Sequence, residues 1–140
     1  MKLCDKITKK CFCVVNTHLD HLGPIARVKG MELIKNRMKD MALDCPIILT
    51  GDLNCTSLSE PYKVGLEKEF SMNDSYEVAE ERLGVSYSFH KSGELHEPRR
   101  IDFILVTPTL RVKSFNIPEE QKINGVYISD HNPVIALIEL

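Results

Sequence analysis

The chain has 140 residues, 43% hydrophobic and 27% charged, with 18 Lys+Arg against 20 Asp+Glu. That length predicts one domain able to bury a core without disulfide or metal staples, and the ordinary apolar fraction with a net charge of -2 excludes a disordered chain. A pI of about 6.2 excludes a dedicated basic nucleic-acid wrapper, but not an enzyme with a locally positive site.

In chain order, a short strand at Lys2 to Asp5 and a turn at Thr8-Lys9-Lys10 lead into a strand over Lys10 to Thr17, rich in Val, Phe and Cys. Gly23-Pro24 opens a helix running to about Leu43. Its apolar stripe is Ile25, Val28, Met31, Ile34, Met38 and Met41, which reads as core packing. Pro46 to Thr50 is a continuous apolar run, as expected of a strand buried on both faces. Ser59-Glu60-Pro61 starts a short helix, and Tyr76 to Leu83 is read as one more. Ser86 to His90, Arg100 to Val106, Leu110 to Asn116 and Val134 to Leu140 read as strands. No repeat or linker interrupts this order, which is that of an α/β layered domain with a mixed sheet.

The five cysteines, Cys4, Cys11, Cys13, Cys45 and Cys55, are odd in number and contain no C-x-x-C, so neither a disulfide framework nor a zinc ribbon is expected. Cys11 and Cys13 alternate with Phe12 and Val14 like small hydrophobes on a strand face. No apolar run approaches the roughly 18 residues of a membrane span, and Met1 to Lys6 lacks the apolar stretch of a signal peptide. The chain is accordingly read as soluble, reduced and cytoplasmic.

Polar clusters stand where the strands end: Asn16-Thr17-His18-Leu19-Asp20-His21, Gly51-Asp52-Leu53-Asn54, Arg100-Ile101-Asp102 and Ser129-Asp130-His131-Asn132. Each alone is weak, since Asp-x-Asn after a strand is usually an Asx turn. Four together, each beside a β run, point to a site at the strand ends. The residue types suit water attack on a phosphoester: carboxylates to activate water and hold a hard cation, histidines to contact the phosphoryl group or protonate a leaving oxygen. Two rival readings are weaker. His18-x-x-His21 with Asp20 lacks a fourth zinc ligand in sequence, and Cys55 has no evident activating histidine for a nucleophile.

At these four segments the sequence resembles the endonuclease/exonuclease/phosphatase superfamily of metal-dependent phosphoesterases, in the family's order, from about Lys10 to Leu140. The resemblance implies that His18 contacts the scissile phosphate, that Asp52 aligns or deprotonates the attacking water, and that Asn54 binds phosphate. It further implies that Asp102 orients a catalytic His131 and that Asp130 is associated with the metal, Mg²⁺ or Mn²⁺. His21 and Asp20 fit the local pattern without an assigned role.

The family fold is a four-layer α/β/β/α sandwich whose N-terminal half carries an early asparagine and a metal-binding glutamate. Here about ten residues precede the first matching strand, and they contain no glutamate. Residues 1–140 are therefore read as one domain equivalent to the C-terminal half: one mixed β-sheet with flanking helices, incomplete for catalysis and weakly active or inactive alone. Its uncovered sheet face, with the apolar run Val134 to Ile138, predicts association of the fragment with itself. Two functions follow: a divalent-metal-dependent phosphoester hydrolase, acting on a small molecule or nucleic acid, or a catalytically silent binding module. With no Trp, four Tyr and five Phe, a stacking platform for single strands is not evident, which favours a compact phosphorylated substrate. The pairs Lys9-Lys10 and Arg99-Arg100 are candidate phosphate contacts.

Overall fold

The alternating apolar residues at the start of the chain form a hairpin in the computed structural model, which describes residues 1–41, 45–67, 72–119 and 122–140. Strand β1 (Lys2–Cys4) pairs antiparallel with β2 (Cys11–His18). Asp5 closes the turn, its Oδ1 accepting from Ile7 N at 3.0 Å and from the Thr8 hydroxyl at 2.8 Å. The expectation of a fully reduced chain is corrected here: Cys4 and Cys11 stand opposite each other in the hairpin register and are joined by a disulfide. Their separation of seven residues carries no signature of its own; the register brings the sulfurs together.

Asp20 shapes the entry to helix α1 (Pro24–Met41), its Oδ1 accepting from Leu22 N at 2.8 Å and from Gly23 N. These N–H donors hold the Asp20 carboxyl below the usual carboxylate range. Met31 and Met38 of α1 are buried, with Val28 and Ile34 packed beside them. Ile25, expected in the same stripe, is exposed. Two steps of three residues separate it from Met31, and each falls about 60° short of a full turn, so Ile25 lies about 120° round the helix. Lys35 occupies the stripe instead, its ammonium paired with Glu67. Leu43 and the side chain of Met41 lie outside the described residues.

The helix connects β2 to β3 (Ile47–Asp52), its parallel neighbour, as parallel pairing requires a crossover. Then follow α2 (Glu60–Leu66), β4 (Asn73–Asp74), α3 (Ser75–Val78) and β5 (Glu81–Gly84). Strands β6 (Asp102–Val106), β7 (Arg111–Ile117), β8 (Lys122–Ile123), β9 (Val126–Tyr127) and β10 (Ile135–Glu139) complete the order. The α/β architecture with mixed pairing and flanking helices is the one expected. Its strands divide into a five-stranded sheet, β1-β2-β3-β6-β4, a three-stranded sheet, β10-β7-β5, and the ribbon β8-β9.

The pleat of β3 explains how the layers meet. Ile47 and Leu49 face one core, with Met31, Met38, Tyr62 and Leu105, while Ile48 faces a second, with Val106, Val112, Ala136 and Ile138. Helices α1 and α2 therefore cover one face of the large sheet, and the small sheet covers part of the other. No described helix is long and apolar enough to cross a membrane.

Two expected elements differ. The helix read over Tyr76 to Leu83 is only the one-turn α3, capped by Asp74 accepting from Tyr76 N at 2.9 Å; the chain then joins β7 as the parallel strand β5. Edge pairing to β7 overrides the helix propensity of Glu80-Glu81-Arg82-Leu83. Ser86 to His90 forms no strand, only isolated bridges from Phe89 to Arg99 and to His131.

Candidate active site

Three polar residues stand in one lateral row at the end of the large sheet. His18 closes β2 opposite Asp52, which closes β3, and Asp52 stands opposite Asp102, which opens β6. Residues directly opposite share a face, and by alternation this is the face that carries Ile48 and Ile104, away from α1. The row needs the strands close together. A Cβ on Gly51, whose φ is 146°, would lie 1.8 Å from the Thr17 carbonyl oxygen, so only glycine fits there.

Asp52 is the centre of the row. Its Oδ1 accepts from Asn54 N at 2.7 Å, an Asx turn that holds Asn54 in the left-handed conformation at φ 47°. Its Oδ2 faces two imidazoles, His18 Nε2 at 3.4 Å and His131 Nε2 at 3.9 Å. Burial pushes the Asp52 carboxyl above the usual carboxylate range, and the negative charge of Asp102 adds to the rise; the Asn54 N–H and the two histidines oppose it. A carboxylate raised in this way accepts a proton more readily at moderate pH. Asn54 itself donates from Nδ2 to the Leu19 carbonyl at 2.8 Å, which ties the end of β3 to the end of β2.

His131 Nδ1 lies 2.7 Å from Asp102 Oδ2. An ionised carboxylate only accepts, so the Nδ1 proton points at Asp102 and Nε2 is turned toward Asp52. The histidine arrives on a loop anchored by the segment that the sequence suggested was a strand. Ser88, fully buried, accepts at Oγ from both Ile101 N and Asp102 N at 3.1 Å, and its carbonyl accepts from Asn132 N at 2.6 Å. Asn132 is buried and donates to the Tyr87 carbonyl at 3.3 Å, while the Phe89 ring packs 4.9 Å from the His131 ring. Ser88, Phe89 and Asn132 thus hold the Asp102–His131 pair without belonging to it. Asn132 stood inside a quoted motif; Ser88 gave no sequence signal, because a serine alternating with Tyr87 and Phe89 reads only as the polar face of a strand.

Of the residues singled out in the sequence, His18, Asp52, Asn54, Asp102 and His131 converge here. Asp130 is exposed; its backbone carbonyl accepts from His90 N and Lys91 N. The described residues contain one group able to hold a metal ion, made by Asp52, Asp102 and His131, whose ligand atoms lie within 4.8 Å of one another. His21, Asp20 and Asp130 are not in it. Cys55 is buried and its thiol is pushed up by burial, the reverse of an activated nucleophile. Arg100 is also not a free phosphate contact: it is buried against Asp74 Oδ2 at 2.8 Å and lies over the rings of Tyr76 and Phe103.

The pattern of the Endonuclease/Exonuclease/phosphatase family matches residues 4–131. The chain belongs to this family. Among solved structures it is similar to the endonuclease/exonuclease/phosphatase of Bacteroides vulgatus, with 41% identity, 99% of this chain and 53% of that one covered, and a TM-score of 0.92. It is also similar to the mannosyl-6-phosphatase of Bacteroides thetaiotaomicron, with 28% identity, 98% and 54% covered, and a TM-score of 0.85. The human Nocturnin catalytic domain, at 22% identity, 99% and 50% coverage and a TM-score of 0.75, shares the fold. No curated protein matches the chain. The chain spans about half the length of these endonuclease/exonuclease/phosphatase structures.

Proposed function

We propose that this endonuclease/exonuclease/phosphatase chain carries the water-activating half of a divalent-metal-dependent phosphoester hydrolase. The observation that supports this best is the pair of carboxylates facing one another across β3 and β6, with two imidazoles turned toward them. In this reading Asp52 accepts the proton of the attacking water, its basicity raised by burial and by Asp102. His18 and Asn54 contact the phosphoryl oxygens. Asp102 holds His131 with Nε2 toward the reacting centre, where the imidazolium form, protonated on both nitrogens, would donate from Nε2 to the developing negative charge or give that proton to the leaving oxygen.

The donor set fits a hard cation. Two carboxylates lie close together, Asp52 raised first by burial and further by the charge of Asp102, and a bound cation would offset their charge. Asp52 and Asp102 would hold Mg²⁺ or Mn²⁺ together with waters or substrate oxygens, and Asp130, one residue from His131, would add an outer carboxylate. The bound ion supplies Lewis-acid polarisation of the phosphoryl group. A compact phosphorylated compound is the favoured substrate, in keeping with similarity to a mannosyl-6-phosphatase.

The test is metal-dependent hydrolysis of bis(p-nitrophenyl) phosphate by the chain, with Asp52→Asn and His131→Ala. Each variant is expected to lose about 10²–10⁴ in rate, the usual worth of an acid–base group. Equal turnover in Asp52→Asn would remove Asp52 from the role given to it. A second reading, a catalytically silent binding module, draws on the half-length match to the similar structures. It predicts no metal-dependent turnover in the chain, unaltered by either variant. In both readings the exposed row Ile135 and Leu137 on β10 is proposed to join two copies through the small sheet.

A further inference from the structure

A cleft of about 300 Å³ is lined in part by Asn54, whose backbone N–H donates to Asp52 of the catalytic row. Its walls come from four places in the chain: Arg27 on α1, Asn54, Cys55, Thr56 and Ser59 after β3, Phe89, and Arg99 with Ile101 before β6. Two arginines border it, and no Asp or Glu lines it. Arg27 Nη1 donates to the Asp20 backbone carbonyl at 2.9 Å, while its Nε is buried with no hydrogen-bond partner among the described residues. A buried N–H left without a partner is costly unless a ligand satisfies it. The Asp20 carboxylate interacts with the Arg27 charge but makes no hydrogen bond to Nε; its Oδ1 accepts from Leu22 N and Gly23 N.

The other groups of the cleft agree. Arg99 is exposed, and its guanidinium makes no ion pair among the described residues. The Thr56 and Ser59 hydroxyls hydrogen-bond each other at 3.3 Å, and Ser59 makes no side-chain cap to α2, so one of the two protons is engaged and the other remains able to donate. Cys55 stays a neutral thiol. Guanidinium groups with hydroxyls beside them bind oxyanions through short charge-assisted hydrogen bonds.

We propose that this cleft between Arg27 and Arg99 seats a second anionic group of the substrate, so that the site takes a small molecule with two anionic groups, one at Asp52 and one here. The proposal rests on the phosphoester reading of the Asp52 row and adds a substrate class to it. It makes Arg27 and Arg99 specificity residues rather than members of the reaction.

The experiment is calorimetric titration of the 140-residue chain with a hexose bisphosphate and with the matching hexose monophosphate, at low salt. The bisphosphate is expected to bind at least about tenfold tighter, the scale of charge-assisted contacts. Arg27→Gln with Arg99→Gln should bring the two ligands to within about twofold, chiefly by weakening the bisphosphate. Arg99→Gln alone, at an exposed side chain whose loss leaves the fold intact, should remove part of the difference. Equal affinities in the unaltered chain, no binding of either ligand, or a preference that survives the double variant would each overturn the proposal. Asp52→Asn separates it from the hydrolase reading. If the unaltered chain hydrolyses neither ligand in the presence of metal while the arginine-dependent preference persists in it and in Asp52→Asn, the hydrolase reading fails for these ligands and the anion cleft stands.

Discussion

Strands β3 and β10 are both short apolar runs, yet they are buried differently. In β3, Ile47 and Leu49 are 1% and 2% exposed, sealed under α1 and α2, and Ile48 meets the second core. In β10, Ala136 and Ile138 pack inward while Ile135 and Leu137 are 50% and 62% exposed. Both runs announce that two faces want cover. β3 finds it within the chain, and β10 finds it on one face. The same contrast places the chemistry: the fully packed strand ends at Asp52, where a rigid support holds carboxylates close against their mutual repulsion.

The largest test of that contrast is thermodynamic. Leu49→Ala should cost about 2–5 kcal/mol in urea denaturation, as for a fully buried leucine, and Leu137→Ala within about 0.5 kcal/mol. Similar costs for the two would mean that β10 is covered in solution. A smaller effect is expected at the row itself, in the metal-free chain. The folded-state value of Asp52 is raised, so the neutral form is favoured by folding. That contribution to stability is present below the ordinary carboxylate range and is lost as pH rises through the raised value. At neutral pH, Asp52→Asn should therefore raise the melting temperature. Because Asp102 contributes to the rise, Asp102→Asn should move the Asp52 titration to lower pH, read by carboxyl carbon resonance. A titration left in place would deny the coupling between β3 and β6. The smallest effect on folding, with the clearest effect on assembly, belongs to Ile135→Lys with Leu137→Lys: the mass in light scattering should become independent of concentration while the melting temperature changes little. A mass already independent of concentration in the unaltered chain would show that the exposed row joins no second copy.

Much of the site was legible because its residues come in short motifs at strand ends. Strand-to-strand register then turned four separate motifs into one cluster, with His18, Asp52 and Asp102 side by side. What the sequence left open has a common cause. Ser88 supports Asp102 through hydrogen bonds to backbone, which leave no trace in residue pattern. Arg100, adjacent to Arg99 and alike in chemistry, is spent on a buried ion pair with Asp74, whereas Arg99 is exposed and borders the cleft that Arg27 also lines.

Local sequence determined what local physics controls: the helix behind Gly23-Pro24, the strands at Cys11 and Ile47, the Asx turn at Asp52, and the glycine at position 51 that the close approach of β2 demands. Tertiary structure alone decided the Cys4–Cys11 disulfide, the conversion of residues 81–84 from expected helix to the edge strand β5, and which of two neighbouring arginines faces solvent. Each of these depends on partners far away or across a turn, and pairing energy between distant segments exceeds the small preferences of single residues.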